Sequence, residues 1–358
     1  MRLCLTLLLE QTSLTTSSKM IHIKKELKEE LRGKRFIDLF CGIGGFHLAL
    51  SSFGAKCVFA SDINNEARKV YYNNFGIFPQ GDIRKISNES IPSHDILCGG
   101  FPCQSFSISG SQSGFNDPKN GKLFYEIIRI AAWHQPKIII LENVANLEKH
   151  DKGKSINVIS TELNKIGYNT FYHVLNALDF NIPQYRNRLY IIAFRTDLGI
   201  TDFNFPAPTK TRMRLQDILL DEKEISENYY VNRSFSLRER YEQIIFSRKN
   251  PYIRIGEIGQ GRQGERVYSI KGCATTLSAS GGGLGGRTGL YLINNRIRKL
   301  VPTECARLMG FPKKFIIAES TNQAYQQFGN SVVVNVLQHV VIKAIQTIKE
   351  NKHGQSKH

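Results

Sequence analysis

Between residues 35 and 195 the chain keeps returning to one pattern: a short apolar run, a break rich in glycine or charge, then a stretch with helical spacing. Arg35–Phe40 (RFIDLF), Cys57–Ala60 (CVFA), Asp95–Cys98 (DILC), Ile138–Leu141 (IIIL) and Leu189–Phe194 (LYIIAF) read as buried strands. Leu48–Phe53, Glu66–Phe75 and Leu123–His134 carry the helical pattern between them. Strands that are apolar throughout need cover on both faces, and intervening helices supply it. The expectation is an α/β fold with a mostly parallel sheet and a ligand crevice at the carboxyl ends of its strands.

The pattern changes after Asn204–Pro208 (NFPAP). Residues 210–320 are more polar and dense in Gly and Arg, with GQGRQGER at 259–266 and GGGLGGRTG at 281–289. A boundary near residue 207 follows. A last apolar helix, about Val332–Lys349, is suited to return and pack on the first domain. The division expected is therefore 20–207 with 325–358 as one domain and 208–324 as a smaller, mixed one. Residues 1–19 open with MRLCLTLLLE, like a truncated signal peptide, but Glu10 interrupts it and no cleavage site follows. Met20 starts a more ordinary segment, so 1–19 are expected to be dispensable, and the tail Lys352–His358 disordered. No apolar run reaches the roughly 20 residues a bilayer requires.

Charge narrows the partner. Forty-eight Lys and Arg against 31 Asp and Glu give +17, which favours a polyanion, most often nucleic acid. The seven cysteines are scattered and lack CxxC spacing, which fits reduced thiols in a cytosolic protein rather than a disulfide framework or a zinc site.

Three segments carry chemistry. Asp38–Phe46 (DLFCGIGGF) follows the first strand, and its glycines, Gly42 and Gly44 among them, let backbone approach a ligand. Asp62, ending the next strand, is placed for ribose hydroxyls, and Asp82, where a third strand should end, for an adenine amine. The spacing GxGG departs from the GxGxxG of dinucleotide sites and suits a nucleoside cofactor such as S-adenosylmethionine better than NAD; a plain tight turn is the alternative. Gly100–Ser107 (GFPCQSFS) puts Cys103 at the end of the strand DILC, followed by a Ser- and Gly-rich stretch to Gly121 that could act as a lid. Most cysteines in such a sheet are inert core residues. Glu142 ends the strand IIIL at the same edge, and Gln184–Arg188 (QYRNR) offers Arg186 and Arg188, as catalytic groups or as a structural ion pair.

Taken in order, FIDLFCGIGGF, GFPCQSFS, ENV, QYRNR, RKLVPTECARLMGFP and GNSV resemble the motif series of DNA cytosine-5 methyltransferases over nearly all of residues 20–350. The resemblance implies a Rossmann-like, S-adenosylmethionine-dependent fold with a smaller target-recognition domain, and no metal. It implies Cys103 as nucleophile, Glu142 on the base edge, Arg188 on the O2 side of the ring, and Arg186 in support of the site or on a phosphate. For the cofactor it implies Phe40, Gly42, Gly44, Asp62, Ile63, Asp82, Ile83, Pro102, Leu123, Asn330 and Ser331. For DNA it implies Ser107, Ser109, Gln263, Arg266 and Gly281, Gly282 and Gly283, with Ser109 and Gln263 filling the gap left by a flipped cytosine. Arg266 is suited to a bidentate contact with guanine, and Arg262 and Arg287 to phosphates. Within the family the likeness is strongest to a member that modifies the inner cytosine of GCGC. Ile63 stands where that relative has tryptophan, Ser280 where it has tyrosine, and Cys41 where the family has alanine. The partner implied is double-stranded DNA, acted on by a cytoplasmic monomer, with a cognate restriction endonuclease encoded nearby. A tRNA cytosine-5 methyltransferase and a catalytically inactive DNA-binding homologue are the alternatives; an NAD oxidoreductase fails on the glycine spacing.

Overall fold

The computed structural model describes residues 29–102, 122–209, 212–239 and 243–355. Cys4, Cys103, Ser107 and Ser109 lie outside the described residues. The first sheet is built from β1 (Arg35–Leu39), β2 (Lys56–Ser61), β3 (Ile96–Gly99), β4 (Ile138–Val144), β5 (Tyr168–Asn176) and β6 (Asn187–Arg195), in the order β2-β1-β3-β4-β6-β5. The first four in that order are parallel neighbours, whereas β6 runs antiparallel to both β4 and β5. Helices α1 (Gly45–Ser51), α2 (Asn65–Phe75), α3 (Leu123–His134) and α4 (Lys154–Lys165) make the crossovers. The chain order reverses between β1 and β3, and a crevice opens at such a switch point.

Two elements of this half escape the sequence reading. Helix α4 has Ile156, Ile159 and Leu163 on its buried face, a spacing that was available for reading. Strand β5 is an edge strand whose middle residues are half-buried or exposed, so it lacks the continuous apolar run of its neighbours. The third strand expected to end at Asp82 does not form. There the chain makes a single parallel bridge, Ser61 to Gln80. Pro79 has no N–H to extend it, and Asp82 turns away to cap a short 3-10 turn, Ile83–Lys85.

The second sheet contains β7 (Phe235–Leu237), β8 (Arg254–Ile258), β9 (Arg266–Ser269), β10 (Leu290–Ile293) and β11 (Arg296–Arg298), in the order β11-β10-β9-β8-β7. Ile253, Ile255, Ile258, Val267, Leu290 and Ile297 form its own small core. Helices α5 (Pro302–Leu308), α6 (Thr321–Asn330) and α7 (Val334–Gln355) follow. Helix α7 packs on α1: Val336, Leu337, Val340, Val341 and Ala344 share a core with Phe46, Ala49 and Leu50. The stretch Thr321–Lys352 is long and apolar enough to cross a membrane, but 72% of its most apolar window is buried inside the protein, as in a core helix.

One ion pair fastens the second sheet to α5. Arg298, 2% exposed, donates to both oxygens of Glu304 at 2.8 and 2.7 Å, and Glu304 also accepts from Val301 N and Leu220 N, each at 3.0 Å. Removing one member of such a pair leaves the other charge buried. Glu304→Ala is expected to destabilise the protein by about 3–5 kcal/mol, read from the urea midpoint. A loss below about 1 kcal/mol, the range of exposed pairs, would contradict this account.

Candidate active site

The crevice is assembled from the chain segments that leave β1, β3 and β4 and from the segment that enters the antiparallel β6. After β1 the chain turns sharply: Phe40 has a φ of 54°, Gly42 52° and Gly44 88°. Gly44 has a second reason to lack a side chain, since a Cβ there would lie 2.2 Å from Phe75 Cε2. His47 supports this turn from beneath, stacked on Phe75 at 3.9 Å and hydrogen-bonded through Nδ1 to the Tyr71 hydroxyl at 2.8 Å. Burial holds its imidazole neutral, with a pKa of about 4.

Asp62 closes the turn. One carboxylate oxygen accepts from Gly42 N at 2.8 Å and the other from Asn64 N at 2.7 Å. Each oxygen keeps a further lone pair, so the half-buried carboxylate can still accept from ribose hydroxyls. Burial, against these bonds, raises its pKa. Ile63 beside it is 72% exposed, an apolar surface at the mouth of the crevice. Asp82 is paired with Arg84 at 2.6 Å, and that hydrogen-bonded guanidinium holds its carboxyl below the usual range. The Ile83 side chain is buried in the core with Phe101 and Phe124. Pro102 and Leu123 are half-buried, Asn330 is exposed and Ser331 buried.

On the other side, Glu142 and Arg188 meet across β4 and β6. Glu142 pairs with Tyr190 and Val144 with Arg188, so the two side chains are diagonal neighbours on one face of the sheet. Arg188 Nε lies 3.1 Å from Glu142 Oε1. The contact lacks hydrogen-bond geometry, and Oε1, fully shielded from solvent, has no hydrogen-bond donor among the described residues. Burial raises the Glu142 pKa, and the coulombic pull of Arg188 and then Arg186 works against it.

The segment leading to Cys103 passes directly over this carboxylate. The Cβ position of Gly100 is 3.5 Å from Glu142 Oε2, and Asn143 Nδ2 donates to the Phe101 carbonyl at 3.1 Å. Cys41, Cys57, Cys98, Cys273 and Cys305 are buried. Burial pushes the thiols of Cys57 and Cys273 up to about 12 and the other three well above the ordinary range. These five are poor nucleophiles.

Of the two roles expected for Arg186, support of the site or contact with a phosphate, its contacts fit the first. It is 2% exposed and donates to three main-chain carbonyls, Leu277 at 2.9 Å and Gly329 and Ser331 at 2.8 Å each. This is a positioning role, reached because the side chain points into the protein.

The two glycine-rich loops of the second sheet are joined backbone to backbone, which the sequence alone did not show. Gly285 N donates to Gly264 O at 2.8 Å, and a Cβ on Gly264 would lie 2.5 Å from Gly282 O. Gln263 and Gly281, Gly282 and Gly283 are exposed on this joined surface; Arg266 is half-buried, with Nε 3.4 Å from Gly261 O.

Comparison with known proteins identifies the family. The family described as C-5 cytosine-specific DNA methylase matches residues 34–347. Type II methyltransferase M.HhaI of Haemophilus parahaemolyticus is 48% identical over 90% of this chain and 96% of its own length. M.DsaV of Dactylococcopsis salina is 38% identical over 91% of this chain and 88% of its own. Among solved structures, Entamoeba histolytica EhMeth superposes with a TM-score of 0.68 at 20% identity, covering 89% of this chain and 98% of that one. Schizosaccharomyces pombe Dnmt2 gives 0.64 at 21%, covering 87% and 98%. These last two share the fold. With its crevice, its buried carboxylate–guanidinium pair and a family match over most of its length, this chain belongs to the C-5 cytosine-specific DNA methylases and is a DNA cytosine-5 methyltransferase.

Proposed function

We propose that this enzyme methylates the inner cytosine of GCGC in double-stranded DNA, with Cys103 as nucleophile and S-adenosylmethionine as methyl donor. The observation that carries the reading is the buried Glu142, ion-paired to Arg188 and overlain by the Gly100–Pro102 segment that delivers Cys103. Burial raises the Glu142 pKa, so its carboxyl holds a proton to higher pH than an ordinary one and can donate it to N3 of a cytosine, while Arg188 beside it takes the O2 side.

Cytosine C5 is too weak a nucleophile unaided. Addition of the Cys103 thiolate at C6 moves electron density to C5, with Glu142 donating at N3 as charge develops. The cofactor supplies an electrophilic methyl group, which C5 takes up. Loss of the C5 proton then expels Cys103 and restores the ring. The cofactor fits the residues present: a turn with three positive φ angles, an Asp62 carboxylate with lone pairs to spare, the exposed Ile63 next to it in sequence, and Ser331, whose Oγ lies 3.2 Å from the Cβ position of Gly45. Because C6 is shielded within the stack, the base must be rotated out at a cost of a few kcal/mol. Ser109 and Gln263 would fill its place.

Residues 208–324 would form the target-recognition domain, reading bases through Arg266 and the exposed Gly281–Gly283 edge. M.HhaI and M.DsaV are Type II methyltransferases by name, which supports a protective role beside a restriction endonuclease. The test is to methylate a plasmid and read every modified cytosine by bisulfite sequencing. Modification confined to the inner cytosine of GCGC is expected. Modification at another site would overturn the target, and none in DNA alongside transfer to tRNA would overturn the substrate.

A further inference from the structure

The segment just before β6 ties together three parts of the molecule. Gln184 is fully buried; its Nε2 donates to Leu308 O at 2.9 Å and its Oε1 accepts from Leu277 N at 3.0 Å. Beside it, Ala274 N donates to Pro183 O at 2.7 Å, and Tyr185 N to Ala274 O at 2.9 Å. The Arg186 guanidinium then spans Leu277 O on one side and Gly329 O and Ser331 O on the other. Leu277 lies at the root of the loop that presents Gly281–Gly283. Ser331 lies at the turn after α6, where its Oγ and Val332 Cγ2 would meet a Cβ on Gly45 at 3.2 and 2.5 Å. Gly45 opens α1, directly after the cofactor turn.

A second contact runs the same way without the guanidinium. Gly329 rests on the backbone of residues 278–279 so closely that a Cβ there would lie 2.2 Å from Ala279 N. Backbone packed on backbone has no side-chain rotamer with which to absorb a shift. A displacement of the 278–289 loop is therefore passed to Gly329 and Ser331, and through them to Gly45.

We propose that Arg186 and Gly329 are positioning residues that couple DNA occupancy of the recognition loop to cofactor occupancy of the β1–α1 turn. The inference rests on the functional reading above, which places DNA at Gly281–Gly283 and the cofactor at Ser331. Coupling of this kind is reciprocal: whatever factor DNA adds to cofactor affinity, cofactor adds to DNA affinity.

The experiment measures the Kd of S-adenosylhomocysteine with and without a duplex carrying the site identified on the plasmid. The ratio of the two is the coupling factor, expected at roughly 5–150 in the wild type. Arg186→Lys and Gly329→Ala should each bring it toward one by about fivefold or more, within the span of ordinary coupling energies. A purely structural role would weaken both Kd values alike and leave the ratio unmoved. Arg296→Ala, on an exposed pair with Glu227, should leave it at the wild-type value. If either variant does not fold, the other decides. An unchanged ratio in the folded variants, or a ratio of one in a wild type that still methylates DNA, overturns the coupling alone. A wild type that binds neither ligand overturns the functional reading first.

Discussion

Cys103→Ser is expected to lower methyl transfer by on the order of 10⁴-fold or more, while S-adenosylhomocysteine and duplex binding stay within a few-fold of wild type. A serine hydroxyl is almost never ionised near neutral pH, and an alcohol adds poorly to a pyrimidine ring. The five described cysteines offer no substitute: they are buried, and burial raises their pKa values. Labelled-methyl transfer measured against filter-bound DNA separates chemistry from binding. Turnover near the wild-type rate would remove the covalent mechanism.

Glu142→Gln should cost roughly 10²–10⁴-fold in kcat, the range expected when a positioned proton donor is lost, with a much smaller change in DNA affinity. Glutamine keeps the shape and can still hydrogen-bond the base, but it cannot give up a proton. The pH profile makes the distinction sharper. Burial raises the Glu142 pKa, so its protonated form persists to higher pH than an ordinary carboxyl and is lost as pH rises through that value. The wild-type rate should fall on this alkaline side, and the glutamine variant should lack that limb. A variant with the same descending limb as wild type would assign the proton to another group.

Much of the fold was open to inspection in the sequence because buried parallel strands announce themselves. β1, β2, β3, β4 and β6 are each mainly apolar and mostly buried, a pattern that fits few other settings. The exceptions follow the same physics in reverse. β5 is an edge strand, so its pattern is diluted by residues facing solvent. β7 is three exposed residues, Phe235–Leu237, that become a strand by pairing with β8. Asp82 ended no strand because Pro79 interrupts the ladder and the carboxylate caps the next turn.

The site divides along a similar line. Motif order alone named Glu142 and Arg188, and spacing placed Asp62 at the end of a strand. It could not distinguish a guanidinium that faces the crevice from one that faces inward. Arg186 and Arg188 are two residues apart on a chain that would send both to the same side if it were regular strand throughout. The strand begins only at Asn187, so Arg186 lies outside its alternation and reaches Leu277, Gly329 and Ser331 instead.

The sequence by itself determined the family, the parallel core and the candidate pair Glu142 and Arg188, because those depend on local composition and on the order of motifs along the chain. Only the tertiary structure decided that β6 is reversed, that the two glycine loops are one surface, and that Arg186 bridges the root of that surface to the turn after α6. Such facts depend on contacts between residues far apart in the chain, where main-chain carbonyls of any residue type can serve as partners and so leave no mark on composition.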